Sequence, residues 1–224
     1  MDTQVNTPEL FVDEQARQWQ QLQDAIQTLE TEQQQNCLAN ANQIRQVMLA
    51  SPWCLQNWMV TPKLLDPQWY AQPYDKTGMQ LELASAIAEI KDELQLGKVL
   101  RAFRQRHQLR LIWRNTLRLC TSAELTREVS NMADTCIDEA LQWLYADSVG
   151  RWGEPQDMQG QAQQMVVLGM GKQGGGELNL SSDIDLIFAF PGAGETQGAR
   201  KSLDNQQFFI RLGQRVIQAL DQQT

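Results

Sequence analysis

The sequence is poor in the residue types on which several common kinds of site depend. It contains one histidine, His107, so neither a histidine-based metal cluster nor a histidine-dependent catalytic triad can be built from this chain alone. We expect His107 at a helix surface or between helices. The four cysteines include no C-x-x-C pair, which predicts reduced thiols and neither disulfides nor a zinc site. They are Cys37, Cys54, Cys120 and Cys136.

Long apolar runs and excess positive charge are also missing. No run approaches the roughly 18 apolar residues that cross a bilayer, so we expect no contact with a membrane. The net charge of −8 argues against nucleic acid as the main partner, because phosphate contacts need a basic face. A protein or nucleotide substrate fits this charge better. No hydrophobic leader is visible, and we expect a cytoplasmic protein.

Most of the first 150 residues show helical periodicity. Apolar residues recur at helical spacing, and Ser51 followed by Pro52 is typical of a helix start. Helices are predicted over residues 8–35, 36–50, 81–94, 97–120 and 121–149. Residues 151–164 contain two glycines and a proline and are predicted to link a helical region (1–150) to a second domain (165–224).

The predicted helix 97–120 carries a basic stripe. Arg110, Arg114 and Arg118 recur every four residues and therefore share one face. This face could bind an anion or a partner. The more ordinary interpretation, a solvated face paired with acidic helices, is favoured.

The most informative stretch is residues 165–190, MVVLGMGKQGGGELNLSSDIDLIFAF. An apolar run at 166–168 leads into a segment in which five of eight residues are glycine, here called the glycine segment (residues 169–176). A second strand-like run follows at 184–190. Glycines let backbone amides approach an anion without interference from Cβ atoms. A strand, a glycine turn and a second strand are therefore predicted here, and the fold class is α+β.

Two carboxylates stand at the start of the second strand-like run. In a strand, Asp183 and Asp185 would share a face about 7 Å apart, with Ile184, Leu186 and Phe188 on the other face. Two acids on an otherwise apolar strand repel and cost desolvation energy unless a cation offsets them. Mg²⁺ suits such oxygen ligands and completes its shell with substrate phosphates. The pattern therefore predicts a metal and phosphate site. A glycine-rich hairpin with two surface aspartates is the disfavoured alternative.

Two familiar glycine motifs do not fit. Gly169, Gly171 and Gly174 spell G-x-G-x-x-G, but the next strand begins about a dozen residues later, with no ribose-binding acid in place. The phosphate loop G-x-x-x-x-G-K-[ST] fails because Gln173 follows Lys172 and Val166 occupies the first glycine position. Neither a dinucleotide fold nor a phosphate-loop fold is predicted.

The run GMGKQGGGELNLSSDIDLIF resembles the nucleotidyltransferase signature of the glutamine synthetase adenylyltransferase family, the glutamate-ammonia-ligase adenylyltransferases. The resemblance extends to LRAFRQRHQLRLIWRN upstream and LDNQQFFIRLGQRVIQALDQQT downstream, roughly two thirds of the chain. It is closest to the first of the family's two catalytic copies, the adenylyl-removing one. The second copy typically has tyrosine and leucine where this sequence has Met170 and Ile184.

The resemblance implies a function and a set of site residues. The parent protein would attach AMP to a tyrosine of glutamine synthetase and remove it, and this copy would remove it by phosphorolysis, releasing ADP. Asp183 and Asp185 would hold Mg²⁺ and act in catalysis. The phosphate or nucleotide would contact Gly174, Gly175, Ser182 and, as the weakest choice, Lys172, which could equally be a solvated loop residue. ATP, ADP, phosphate and a PII-type nitrogen signalling protein are the implied partners besides glutamine synthetase.

The resembled fold places a third catalytic aspartate on a later strand. The acids after Asp185 are Glu195, Asp204 and Asp221, and none lies in a strand-like run. We therefore expect an N-terminal fragment cut before its third acid, with a truncated nucleotidyltransferase-type α/β domain that is inactive alone. The alternative is a non-catalytic helical module that docks glutamine synthetase or a PII-type protein.

The rest of the chain is predicted as a turn and a helix. Residues 191–198 are rich in glycine and predict a flexible turn. Residues 203–220 predict a helix that covers the sheet. Asp204 lies at its start, where the helix dipole favours negative charge.

Overall fold

The structure, a computed structural model, describes residues 9–221, with residues 9–12 described by their backbone alone. This part of the chain forms ten α-helices and four short strands, which confirms the α+β class. None of the helices described over this range has the length and hydropathy of a membrane span. The helices are α1 (Glu9–Ile26), α2 (Thr31–Ala39), α3 (Ala41–Ala50), α4 (Pro52–Val60), α5 (Pro67–Ala71), α6 (Lys76–Ala88), α7 (Glu93–Thr116), α8 (Ser122–Trp152), α9 (Gly171–Gly174) and α10 (Asn205–Leu220). The strands are β1 (Glu154–Asp157), β2 (Val166–Gly169), β3 (Leu186–Ala189) and β4 (Gly194–Gln197).

Contacts divide the chain into two compact units. Among the described residues, the first unit holds those up to Pro73 together with Leu109–Thr121, and the second holds Tyr74–Gln108 and residues 122–221. The second unit reaches back into the helical region because α6 packs on α8. The domain boundary at residues 151–164 stays a prediction.

The first unit is helical and has an aromatic core. Trp58, Tyr70 and Trp113 are fully buried, with ring centroids 5.7–6.5 Å apart. The predicted start of α4 is confirmed, since the Ser51 hydroxyl accepts the N–H of Cys54 at 3.3 Å. These contacts make a compact core.

The predicted helix 8–35 is wrong in extent, because the chain breaks between α1 and α2. The Thr28 hydroxyl donates to the Ala25 carbonyl, and the N–H of Leu29 bonds to Ile26 three residues back. This tighter turn ends α1 and brings Leu29 into the core at 7 % exposure.

The basic stripe on α7 is also corrected. Arg110 and Arg114 are buried at 0 and 4 % exposure, so neither the anion surface nor the solvated face describes them. Their guanidinium groups donate to the carbonyls of Gln72 at 3.0 Å and Ala71 at 2.7 Å. Carbonyls at the end of a helix have no intrahelical partner, so these arginines satisfy the C-terminus of α5.

His107 lies between helices in the second unit and not at a surface, which decides between the two predicted places. The ring is completely buried and lies 3.4 Å from the Glu82 carboxylate of α6. Phe103 and Tyr74 pack against it with ring centroids 4.3 and 5.1 Å away. Burial of this ring beside a carboxylate makes it part of the α6–α7 packing.

Two separate antiparallel pairs of strands follow α8. In one pair β1 runs beside β4, with Glu154 opposite Gln197. In the other β2 runs beside β3, with Val166 opposite Ala189. The predicted flexible turn at 191–198 is therefore wrong, because part of it forms β4. Apolar alternation did not reveal this strand, since what fixes it is hydrogen bonding, including the Thr196 N–H to the Leu203 carbonyl at 2.8 Å.

The last helix contacts β1 and β4. Asp204 caps it by accepting the N–H of Gln206 at 2.8 Å. Phe208 and Phe209 are buried, and Phe209 stacks on Phe190 with centroids 4.7 Å apart. Arg215 joins α10 to α8 through the carboxylate of Asp147.

Candidate functional site

The glycine segment makes a tight turn after β2. Its middle forms α9, a single helical turn. A Cβ atom at Gly174 would lie 2.6 Å from the Gly169 carbonyl oxygen, closer than real Cβ atoms come to other atoms. Gly176 has φ +67°, in the left-handed region that glycine adopts without strain. Both positions therefore require glycine for the turn itself.

The amides of the glycine segment form hydrogen bonds inside this turn. The N–H of Gly174 donates to Met170 at 3.4 Å and that of Gly175 to Gly171 at 3.2 Å. A phosphate bound by these amides would share them with the two carbonyls. The predicted phosphate role of Gly174 and Gly175 stays a prediction.

A short polar turn joins the glycine segment to the acids. The side-chain oxygen of Asn179 accepts the N–H of Ser181 at 3.1 Å and the hydroxyl of Ser182 at 2.9 Å. The Ser182 hydroxyl in turn accepts the N–H of Asn179 at 3.2 Å. Sequence reasoning missed Asn179, although an Asn two and three residues before serines is a common turn former. Ser182, predicted as a phosphate donor, is engaged in this turn.

The predicted strand position of the acids is wrong. β3 begins at Leu186, so Asp183 and Asp185 precede it, and both side chains are exposed. The strand pairing continues by one bond, from the Met170 N–H to the Asp185 carbonyl at 2.9 Å. Beyond that bond the chain leaves the ladder, because β2 has turned into α9.

The acids lie on the rim of a cavity of about 650 Å³ within the second unit. Ser182, Asp183 and Asp185 line it, together with Ile184 and the next residues of β3. The predicted separation of acids and apolar residues onto opposite faces therefore does not hold here, because face alternation needs a regular strand.

Apolar side chains also line the cavity. They include Met132 and Cys136 of α8 and, at the end of α10, Ile217 and Leu220. Burial raises the pKa of the Cys136 thiol to about 12, despite the opposing charge of Arg104. This thiol is therefore protonated at neutral pH and serves as packing.

The structure does not bring all predicted site residues to this cavity. Gly174, Gly175 and Lys172 do not line it. Lys172 is exposed, and its ammonium group forms no ion pair with any residue between 13 and 221. Its backbone carbonyl accepts the N–H of Glu177 at 2.7 Å, which is its defined role in the turn.

The residues present fit Mg²⁺ through their chemistry. Asp183 and Asp185 supply exposed carboxylate oxygens, which Mg²⁺ prefers, and Mg²⁺ commonly uses only one or two such ligands. Among the described residues, no three His, Cys, Asp or Glu side chains are close enough together to hold a metal ion. Because both acids are exposed, they cost little desolvation energy and need no cation to offset it. The prediction of Mg²⁺ therefore depends on the preference of this ion for carboxylate oxygens alone.

Sequence reasoning missed the residues that anchor the glycine segment. Gln173 is buried at 6 % exposure, and its amide donates to the Asp134 carboxylate and to the Ser130 carbonyl of α8. A glutamine among glycines carries no signal of burial, and contacts over about 40 residues of sequence cannot be read from local spacing.

Comparison with known proteins finds a matching family profile and several similar sequences. The sequence profile described as glutamate-ammonia ligase adenylyltransferase matches residues 41–224. The relatives include three proteins named bifunctional glutamine synthetase adenylyltransferase/adenylyl-removing enzyme. The Hahella chejuensis protein is 56 % identical over 142 residues, and that of Vibrio parahaemolyticus 52 % over 142, each covering 63 % of this chain. The Pseudomonas aeruginosa protein is 51 % identical over 150 residues, covering 66 %. The aligned part is 15 % of the length of each relative.

Proposed function

Because the chain belongs to the glutamate-ammonia ligase adenylyltransferase family, we propose that it takes part in the adenylylation control of glutamine synthetase. The relatives' names give both attachment and removal of the adenylyl group. One observation carries the proposal to this chain: Asp183 and Asp185 are exposed on the rim of a cavity, directly after the glycine turn.

We further propose that this copy performs removal within a nucleotidyltransferase-type domain. The β2–glycine turn–β3 arrangement supports such a domain. Met170 and Ile184 stand where the resembled second copy typically has tyrosine and leucine, and this resemblance supports the direction. An oxygen of inorganic phosphate attacks the AMP phosphorus and forms a new P–O bond. The bond from phosphorus to the tyrosine oxygen breaks, the phenolate takes up a proton, and ADP is released.

The roles proposed for the site residues are those that the family resemblance implies, and the position of the two acids at the cavity supports the metal role. Asp183 and Asp185 would hold Mg²⁺, which supplies positive charge against the phosphoryl oxygens. The two carboxylates would hold the metal where they line the cavity. The amides of Gly174 and Gly175 and the Ser182 hydroxyl would orient the phosphate, and Lys172 would add a distant positive charge.

The partners proposed are those of the whole enzyme. Glutamine synthetase is the protein substrate, ADP and phosphate are the small molecules of removal, and ATP serves the attachment reaction. A PII-type signalling protein regulates the balance in the cytoplasm. The net charge of −8 is compatible with protein and nucleotide partners and disfavours nucleic acid.

The test is phosphate-dependent ADP release from adenylylated glutamine synthetase in the presence of Mg²⁺. ADP release should be measured for this chain and for the full-length gene product, in each case for the parent protein and for its Asp185→Asn variant. We expect the full-length product to be active and Asp185→Asn to lower its rate by about a thousandfold, because a catalytic metal supplies several kcal/mol and about 1.4 kcal/mol corresponds to a factor of ten. Glu195→Gln, which changes an exposed carboxylate away from the cavity, is the matched control and should leave the rate unchanged.

Retained activity in Asp185→Asn would contradict the metal assignment. Absence of activity from both folded proteins would favour the docking module, in which the helical region binds glutamine synthetase or a PII-type protein without catalysis.

A further inference from the structure

The glycine segment is tied to α8 by a buried amide. The Gln173 side chain is 6 % exposed and donates to Asp134 and, at 3.4 Å, to the Ser130 carbonyl. A neutral amide that donates to a carboxylate forms a charge-assisted hydrogen bond, which is stronger than a neutral pair. Burial of the amide makes loss of this bond costly.

A second bond ties the chain just after the glycine segment to the same turn of α8. The N–H of Leu178, a residue 2 % exposed, donates to the Ser130 hydroxyl at 3.1 Å. That hydroxyl donates to the Thr126 carbonyl at 2.9 Å, which fixes its orientation. The glycine turn between Gln173 and Leu178 is therefore clamped at both ends by residues one helical turn apart.

The carboxylate of Asp134 is itself oriented from α6. One of its oxygens accepts from Gln173, and the other lies 2.9 Å from the Lys76 ammonium group. The two partners occupy different oxygens, so Lys76 holds the carboxylate with one oxygen toward the glycine segment.

The clamp extends to the candidate catalytic acids through the backbone. The Met170 N–H, at the start of the glycine segment, donates to the Asp185 carbonyl at 2.9 Å. A displacement of the glycine segment from α8 would therefore carry Asp185 with it.

We propose that Gln173, Asp134 and Ser130 are positioning residues that set the glycine segment, and through it Asp185, against α8. The expected effect on catalysis rests on the proposed function. The expected effect on the position of the glycine segment rests on the hydrogen bonds alone. The residues act through the backbone and do not touch substrate.

The test exchanges donor and acceptor. Gln173→Glu places a second carboxylate against Asp134, and Asp134→Asn removes the charged acceptor. The double variant, Gln173→Glu with Asp134→Asn, restores one donor facing one carboxylate at unchanged net charge. Gln207→Glu makes the same chemical change at an exposed position of α10 and is the control.

In the full-length gene product each single variant should lower kcat for ADP release about tenfold, as small displacements of reacting groups do. KM for adenylylated glutamine synthetase should stay unchanged. The double variant should recover to within about threefold of the parent, the coupling expected for a contacting pair. The control should behave as the parent.

Hydrogen exchange of the Leu178 and Gly174 amides in the chain gives a readout that does not need activity. Exchange should accelerate in each single variant and slow again in the double variant. Ser130→Ala removes the acceptor of the Leu178 N–H together with the hydroxyl's own bond to the Thr126 carbonyl, and it leaves the side chains of Gln173 and Asp134 unchanged. It should accelerate exchange at Leu178, which provides a second test if Gln173→Glu does not fold.

Unchanged exchange in Ser130→Ala and the single variants, or no recovery in the double variant, would overturn the clamp. A parent protein without ADP release would instead refute the proposed function, and the exchange results would still decide on the clamp.

Discussion

Two sets of carboxylates in the second unit have opposite surroundings. Asp134 is bound by Lys76 on one oxygen and by the Gln173 amide on the other. Asp183 and Asp185 are exposed, and no hydrogen bond or ion pair links their side chains to another residue in the range 13–221. Both oxygens of the Asp134 carboxylate are therefore bound within the protein, whereas the carboxylates of Asp183 and Asp185 are available to bind a ligand.

Glu82 extends the first set. Its carboxylate accepts the Tyr74 hydroxyl at 2.8 Å and pairs with Arg106 at 2.9 Å, and buried His107 lies beside it. Hydrogen-bond and ion-pair partners, and not residue type, therefore separate the structural acids from the candidate functional ones.

Removal of Mg²⁺ should have the largest effect and should act on the exposed acids alone. Chelation is expected to lower ADP release by the full-length product about a thousandfold, since a catalytic metal supplies several kcal/mol at about 1.4 kcal/mol per factor of ten. The thermal unfolding midpoint of this chain should change little, because Asp183 and Asp185 are exposed and precede β3, so the fold does not depend on their side chains. ADP release that does not change when a chelator is added would contradict the metal role of Asp183 and Asp185.

Loss of a partnered carboxylate should cost stability where loss of an exposed one does not. Glu82→Gln is expected to lower the free energy of unfolding by about 1–2 kcal/mol, because it weakens bonds to a charged acceptor beside a buried ring. Asp183→Asn, and Glu89→Gln at an exposed position beside α6, should stay within about 0.5 kcal/mol of the parent. Urea unfolding measures all three. Equal losses of unfolding free energy in Glu82→Gln and Asp183→Asn would contradict the distinction between partnered and exposed carboxylates.

The pH dependence of stability should give the smallest effect. Burial alone would raise the pKa of Glu82, but hydrogen bonds from His107 and Tyr74, with the charges of His107 and Arg106, outweigh it and lower the pKa. Glu82 therefore stabilises the fold fully above its unfolded pKa of about 4.3 and loses this contribution as pH falls through the lower folded value.

Urea unfolding of the parent and of Glu82→Gln between pH 6 and pH 3.5 measures this contribution. Their difference in free energy of unfolding should be constant near pH 6 and shrink toward pH 3.5. A difference that grows on acidification would show that the pKa of Glu82 is raised and not lowered.

The sequence pattern correctly predicted those elements that depend on residues close together in the chain. The start of α4 at Ser51 and Pro52 and the cap of α10 at Asp204 were predicted from neighbouring residues, because capping bonds span only two or three positions. The strand–glycine turn–strand order was predicted for the same reason. β4 was missed because its partner, β1, lies about 40 residues earlier.

Motifs, caps and periodicity were enough to predict the family, the α+β class, helices within residues 9–150 and the short distance in sequence from the glycine segment to Asp183 and Asp185. The burial of Arg110 and Arg114 against carbonyls and the anchoring of the glycine segment by Gln173 became visible only in the three-dimensional structure. The same is true of the two acids, which precede their strand. Motif, cap and periodicity depend on neighbouring residues, whereas burial and hydrogen-bond partnership depend on which distant surfaces the fold brings together.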